Sequence, residues 1–513
     1  MSERLSFGRL TAGKGGGRGN GPFRILLMGD FSGRANRGTF EPDLASRRPE
    51  FLDVDNFEQV LAGLTAELRL PVGEEATATI SVRLRELDDL HPDRLFESLE
   101  VFQVLRDLRS RLSDPATFDA AAAEVHSWAA KPGEPAERPV AAAAAGEAEG
   151  EAAPRESQEE LLGRLLGDRP VQAGAPAPAS GGIDSLIREI VAPHIVPDRD
   201  REQADLISRV DEAIAAQMRA VLHHPDFRAV EAAWRSVHFL VTNLETDEEL
   251  KLFLVDVTKD EFAADLTAAE DLGSTGLYKL LVEQTVGTPG GRPWGAVAGA
   301  YWFDRTEADA MLLGRMAKIA RAAGAPFVAA ARDRVVGCES LAATPDPRDW
   351  TLAASEEAAA AWDQLRKLPE ATYVGLAAPR FLLRLPYGKD TDPVERFELE
   401  ELAGSGPHEC YLWGNPAFAV VQVLGADFAE RGWDLGPELY RDIEGLPMHV
   451  YTADGERHVK PCAEVYLTDR AGERIQELGV TALLSVQGRD VVRVRGVASI
   501  ADPVTALAGR WSR

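Results

Sequence analysis

The sequence predicts an α/β protein: a small α/β domain and a larger, multi-layered α/β region joined by a disordered linker. Three observations lead there. Apolar runs of strand length alternate with segments of helical period on both sides of the chain's middle. Between them, from about 131 to 182, Ala, Glu, Pro and Gly take over, and no aromatic residue occurs between Trp128 and Phe227. The chain's 513 residues exceed one ordinary domain, and a composition 45% hydrophobic and 27% charged has ample core material.

The elements follow in chain order. Residues 1–21 are Gly-rich and read as a flexible arm, apart from the alternating run Arg4-Leu5-Ser6-Phe7-Gly8-Arg9-Leu10, which has the pattern of a detachable strand. The small domain spans 22–130. Phe23 to Met28 (FRILLM) is a buried strand ended by Gly29-Asp30. Asn56 to Ala66 is a helix with Phe57, Val60 and Leu61 on one face, and Ala76 to Leu87 alternates as a strand. Leu95, Leu99, Phe102, Leu105 and Leu108 recur at helical spacing, which predicts one amphipathic helix from Pro92 to Leu112.

The 131–182 segment, with runs such as AAAAAGEAEGEAA, cannot bury enough apolar surface to offset the entropy of ordering. Within it Ser157 to Leu166 opens like a capping box and carries two Leu pairs four apart, a short helix near 157–166. The larger region, 183–513, begins with helices at Ile183 to Val191, Asp200 to Leu222 and Pro225 to Leu244, broken at PHIVPD and HHPD. Strands follow at Leu250 to Val257, Trp294 to Phe303 and Pro326 to Ala331, with helices at Glu307 to Ala323 and Glu356 to Lys367. From Met448 to Ile500, three strand-like pieces (HVYTA, AEVYLT, DVVRVRGV) surround one helix.

Charge and composition exclude several classes. A net charge of −27 and a pI near 4.8 disfavour nucleic acid and anionic membrane surfaces, which want clustered Lys and Arg. No run of about 18 apolar residues predicts insertion in a membrane. The N-terminus lacks an apolar signal region, and Cys338, Cys410 and Cys462 are odd in number and widely spaced, which points to a reducing cytoplasm.

Chemistry-bearing residues do not gather into a catalytic pattern. His223-His224-Pro225-Asp226 is a helix break, because adjacent histidines point apart and no second ligand cluster completes a shell. Asp88, Asp89, His91 and Asp93 surround Pro92 in front of a helix, as a capping turn does. The Gly13–Gly21 stretch follows no strand and lacks a GK[ST] pattern; Gly287 to Gly291 is a turn. Ser274, Ser405 and Ser499 lack a GxSxG context, and Cys338 has no signature of a nucleophile. The reading is a non-enzyme with no cofactor and no metal.

What remains is a set of apolar, aromatic and Gly/Pro-defined motifs. YVGLAAPRFLLRLPYGKDTDPVERFELE (Tyr373 to Glu400) and LWGNPAF (Leu412 to Phe418), with Trp234 in AAWRSVHFLV, resemble the large contractile-sheath subunit of bacterial type VI secretion systems (the TssC/VipB type). The residues that carry it are Trp234, Pro379, Arg380, Arg384, Pro386, Tyr387, Gly388, Trp413, Gly414 and Asn415. PFRILLMGDFSGR, LDVDNFEQVLAGL and LDDLHPDRLFESLEVFQVLRDLRSRL resemble the small subunit (TssB/VipA type). Small and large subunits are usually separate chains; here they are joined.

The resemblance implies a cytoplasmic bacterial protein that assembles with copies of itself into a helical tube. The tube surrounds an inner tube of haemolysin-coregulated protein, stands on a baseplate, and contracts to drive protein translocation. It implies strands donated between protomers, for which Arg4, Leu5, Phe7, Arg9 and Leu10 are the candidates. It also implies recycling by an AAA+ unfoldase that grips a helix near the start of the large subunit; Glu159, Leu161, Leu162, Leu165 and Leu166 stand in that place. Large subunits normally continue past RDVVRVRGVASI, whereas this chain ends at Arg513. The expectation is that neighbours interlock through another strand, such as Asp490 to Val497, or through a companion. The alternative reading is a sheath-derived accessory, cap or baseplate adaptor that forms no contractile filament.

Overall fold

FRILLM forms strand β1 (Phe23–Gly29), and its neighbours explain why it is apolar on both faces. It lies between β5 (Leu250–Asp256) and β6 (Ala296–Phe303), parallel to both, inside a nine-stranded sheet. Phe23, Ile25, Leu26, Leu27 and Met28 are fully buried, which contributes roughly 1.5–3 kcal/mol for each relative to exposure. A strand covered on both sides carries a continuous apolar run in place of alternation.

The computed structural model describes residues 6–10, 19–72, 78–129, 203–402, 406–436, 440–453 and 455–512. Two compact units emerge. The first comprises 1–70, 79–103 and 214–513 and contains the large sheet. Beyond β6 come β7 (Phe327–Ala331), β8 (Val374–Ala378) and β14 (Val480–Ser485), all parallel to β1. The antiparallel β15 (Val492–Arg495) and β11 (Tyr440–Ile443) finish that side. On the other side β5 is followed by the antiparallel edge strand β2 (Glu50–Leu52). Outside this sheet are β3 (Glu67–Val72), β4 (Ala78–Arg83), β12 (His449–Ala453) and β13 (Glu456–Lys460). The segment expected to fold as a small domain thus supplies one strand to the interior of this sheet and one to its edge.

Helices cover both faces, as a parallel sheet requires. The early part carries α1 (Arg34–Arg37), α2 (Phe57–Gly63), α3 (Pro92–Ser98), α4 (Glu100–Ser113) and α5 (Phe118–Ala129). The later part carries α6 (Gln203–Leu222), α7 (Pro225–Asn243), α8 (Lys259–Thr267), α9 (Glu307–Ala323), α10 (Glu356–Arg366), α11 (Pro416–Arg431) and α12 (Asp469–Glu477). On one face, α9 packs with α8 and α10, and Met316 joins Leu26, Met28, Val297 and Phe327 in one core. Along the other, α11 runs over β1, β6, β7 and β8, with α7 packed on it.

The second unit comprises 71–78 and 104–213. Within it Arg109 forks onto Asp211 and Arg111 reaches Glu124 at 2.7 Å.

Most expected elements are found within a few residues of their expected bounds. Two differ for visible reasons. The helix expected over Pro92 to Leu112 is broken at Leu99, whose backbone is extended (ψ 133°). The Leu99 carbonyl then accepts from Phe102 and Gln103 and starts a new helix, α4. Leu99 stays buried through the break, so the apolar period continues across it. AEVYLT forms no strand. Glu464 adopts a left-handed φ of 35° and turns its carboxylate inward, and Thr468 caps α12. The expected helices at 157–166 and 183–191 lie outside the described residues.

Candidate functional site

A short antiparallel strand pair frames the motif region. After β8 the chain passes the cis Ala378–Pro379 bond into β9 (Phe381–Leu382), which pairs with β10 (Trp413–Gly414). Asn415 then caps α11: its side-chain oxygen accepts from the Ala417 N–H, while its amide donates to the Tyr301 carbonyl at 3.1 Å.

Arg384 follows β9 and is buried between two carboxylates. Its guanidinium donates to Glu231 on α7 (2.7 and 3.3 Å) and to Glu401 (2.7 and 3.1 Å). Arg235 donates to Glu231 at 2.7 Å and to the Tyr387 hydroxyl at 3.0 Å; the Tyr387 N–H donates to Glu401 at 2.8 Å. Burial alone would push the Glu401 carboxyl up, but the Arg384 charge and the donated hydrogen bonds hold it down to about 2. The Tyr387 phenol is pushed up to about 12, chiefly by burial. Pro386 turns the chain toward this ring, and its carbonyl accepts from Thr391. At Gly388 a Cβ would stand 2.4 Å from Oε2 of the exposed Glu400, a side chain free to swing aside.

Arg380 makes a second centre. It donates to Glu409 and Glu464, and its backbone N–H also donates to Glu464 at 3.0 Å. Glu464 is likewise held down to about 2 against the push of burial, by His408 and Arg380. His408, Glu409 and Glu464 bring three possible ligand atoms within 4.8 Å of one another. Arg380 already bridges both carboxylates, and Lys460 Nζ stands 3.1 Å from His408 Nδ1, so this cluster carries its own cations. Trp413 packs beneath it, donating to the His408 carbonyl at 3.0 Å.

A third centre ties the early chain to the later one. Arg34 and Arg47 both reach Glu261 Oε2, at 2.8 and 2.9 Å, and both donate to the Asp256 carbonyl. The Phe31 and Ser32 N–H groups donate to the Asp256 carboxylate. Trp234 donates to the Phe31 carbonyl at 2.8 Å. The motif loop also rests on α3: the N–H groups of Glu395 and Arg396 donate to Asp93, Arg396 pairs with Glu97, and Phe397 stacks near Phe96 at 4.6 Å.

Of the candidate strand at the N-terminus, Arg4 and Leu5 lie outside the described residues. Phe7 is buried in the notch that Gly314 leaves on α9; a Cβ there would stand 2.2 Å from the Phe7 ring. Arg9 forms a parallel bridge with Asp271 of its own chain, and Leu10 packs on the same core. Glu159, Leu161, Leu162, Leu165 and Leu166 are outside the described residues. The strand suggested as an alternative interlock is β15, paired on both sides within the chain. His224 and His91 act as helix caps, each accepting a backbone N–H at 3.2 Å.

These buried charge centres and the shared sheet coincide with two family matches. Residues 204–501 match the VipB model, described as "EvpB/VC_A0108, tail sheath N-terminal domain". Residues 18–119 match "Type VI secretion system, VipA, VC_A0107 or Hcp2". The chain belongs to the VipB tail-sheath family. It joins VipA-like and VipB-like sheath segments in one polypeptide. A relative from Pseudomonas aeruginosa, "Type VI secretion system sheath protein TssC1", is 36% identical over 304 residues, 58% of this chain. The chain spans 61% of that relative's length.

Within this sheath chain Trp234 and Tyr387 touch the early segment, at the Phe31 carbonyl and the His91 ring, whereas Arg380 and Arg384 hold carboxylates of the later segment that were not foreseen. Glu231 and Glu464 stand among apolar neighbours in sequence, Glu261 closes a T-x-x-E capping box with Thr258, and Glu401 lies in an acidic run that singles out none of its members. No helix among the described residues is long and apolar enough to cross a membrane.

Two outcomes are expected for the full chain. Arg384→Met leaves Glu231 and Glu401 buried without their main counter-charge, and urea unfolding is expected to show a loss of roughly 3–5 kcal/mol. The pH dependence has a fixed sign. Glu401 and Glu464 have folded pKa values near 2 against an ordinary 4.5. Their contribution is therefore complete above pH 4.5 and is lost as pH falls toward 2. The urea midpoint is expected to decline below pH 4.5, with a smaller decline in Arg384→Met; equal slopes in both proteins would show that this centre is not responsible.

Proposed function

We propose that this chain is a structural subunit of a type VI secretion-like contractile sheath. It assembles with copies of itself around an inner tube, stands on a baseplate, and contracts to drive protein translocation. The reading rests chiefly on β1: one polypeptide supplies both the VipA-like strand and the VipB-like strands on either side of it. A single chain then carries both segments, which fixes their ratio at one to one. Self-association through different surfaces on successive copies yields an open helical filament.

The N-terminal segment supplies a lacing element. Phe7 sits in the Gly314 notch, Lys318 Nζ donates to the Gly8 carbonyl at 2.6 Å, and Arg315 reaches the Ser6 carbonyl. From Leu10 to Phe23 the chain can reach about 45 Å when extended. Each protomer's segment can therefore leave its own notch and enter that of a neighbour, an exchange of identical elements. In the same proposal the inner tube is of the haemolysin-coregulated type, and Glu159 to Leu166 is the handle of an AAA+ unfoldase.

Negative-stain electron microscopy of the purified full chain tests the assembly. Tubes are expected from the full chain, and fewer or none from a version lacking residues 1–12 or carrying Gly314→Leu. Discrete particles in every sample would overturn the self-assembling reading.

A further inference from the structure

The strands at the β2 side of the sheet carry a group of cations in unusual surroundings. Arg24 on β1 lies over two rings, 4.0 Å from the centroid of Trp294 and 4.4 Å from that of Phe253. Phe253 meets Trp294 edge-on at 5.3 Å and Phe51 of β2 at 5.7 Å. Phe51 is 40% exposed, and Lys251 Nζ stands 6.0 Å from its ring. Arg24 donates to the Arg292 carbonyl, which draws the exposed Arg292 alongside. The result is a continuous strip of rings edged by Arg24, Lys251 and Arg292.

The chain contains 83 acidic and 56 basic residues. Elsewhere its arginines take carboxylates readily, as Arg34, Arg380 and Arg384 do. Among the described residues, none of Arg24, Lys251 and Arg292 has a carboxylate partner. Burial and the neighbouring Arg292 push the Arg24 guanidinium down to about 10. Trp294 Nε1 is buried beside it and has no acceptor among the described residues. Three cations without carboxylate partners, around an exposed ring, lack acceptors of negative charge. The strip runs from Arg24 on β1 across Lys251 and Phe253 on β5 to Phe51 on β2, the outermost strand, which has no further neighbour among the described residues.

We infer that the Arg24–Lys251–Arg292 strip is an interaction surface that receives a carboxylate-bearing surface of a second copy of this chain. The occupant follows from charge: with 83 acidic against 56 basic residues, the chain offers carboxylates in excess of the cations that can receive them. Cationic and acidic surfaces on different parts of one molecule make a head-to-tail contact, which propagates instead of closing. Like charge otherwise drives copies apart, so such a contact sets the register in which they meet. The inference rests on the self-assembly proposed above and names one of its contacts.

The test is zero-length carbodiimide coupling, which joins Lys amines to carboxylates, on an equal mixture of normal and nitrogen-15-labelled full chain. Mass spectrometry is expected to find Lys251 joined to Asp or Glu of the opposite label. Arg292→Glu is expected to lower that yield roughly fivefold, the factor one exposed ion pair supplies. Lys251→Arg, which keeps the charge, is expected to lose the link and retain association by sedimentation velocity. Lys251 links confined to one label, or a mixed-label yield unchanged by Arg292→Glu, would overturn the inference. So would binding of a single-stranded oligonucleotide through this strip without any mixed-label link. Tubes that form without the link leave the sheath reading standing and remove this contact. Mixed-label links without tubes do the reverse.

Discussion

The position of β1 is the constraint on which the rest of the structure depends. A parallel sheet needs both faces covered and its interior strands hydrogen-bonded on both edges. β5 and β6 are adjacent to β1 on opposite sides and make no ladder with each other. Without Phe23–Gly29 each would face a row of unpaired backbone groups, and the aliphatic side chains of Ile25 to Met28 would vanish from both sides of the core. The VipA-like and VipB-like segments therefore form one sheet, and joining them in one chain turns an association of two pieces into an intramolecular step.

The buried ion centres add direction to this apolar attraction. Hydrophobic contact is tolerant of register, whereas Arg34 and Arg47 meeting on Glu261 accept one geometry. Arg384 does the same for the motif loop, fixing it between α7 and Glu401. The loop in turn carries Phe397 onto α3. A path of packed contacts thus runs from the PRFLLRLPYG motif to the early chain.

Local pattern revealed much of this and long-range pairing very little. FRILLM was legible as a strand because it is apolar on both faces, and α9 because its capped start, apolar stripe and terminal Gly324 agree. The strand's place between β5 and β6 was not legible, since more than 200 residues separate Phe23 from its partner Leu250. The break at Leu99 escaped because the residue stays buried on both sides of it. AEVYLT misled because alternation describes a strand and a buried Glu464 loop equally well. Among site residues, Arg380, Arg384 and Tyr387 stood out by motif, while Glu231, Glu401 and Glu464 acquire meaning only when the fold brings them to their arginines.

The measurement that bears most directly on this account is native-state hydrogen exchange of the full chain across β1. If the strand is integral to the sheet, the amides of Leu26, Leu27 and Met28 exchange in the slowest class, together with those of β6 and β7, through global unfolding alone. Exchange of β1 through an easier opening, with β6 and β7 still protected, would contradict the claim that the two sheath segments form a single cooperative sheet.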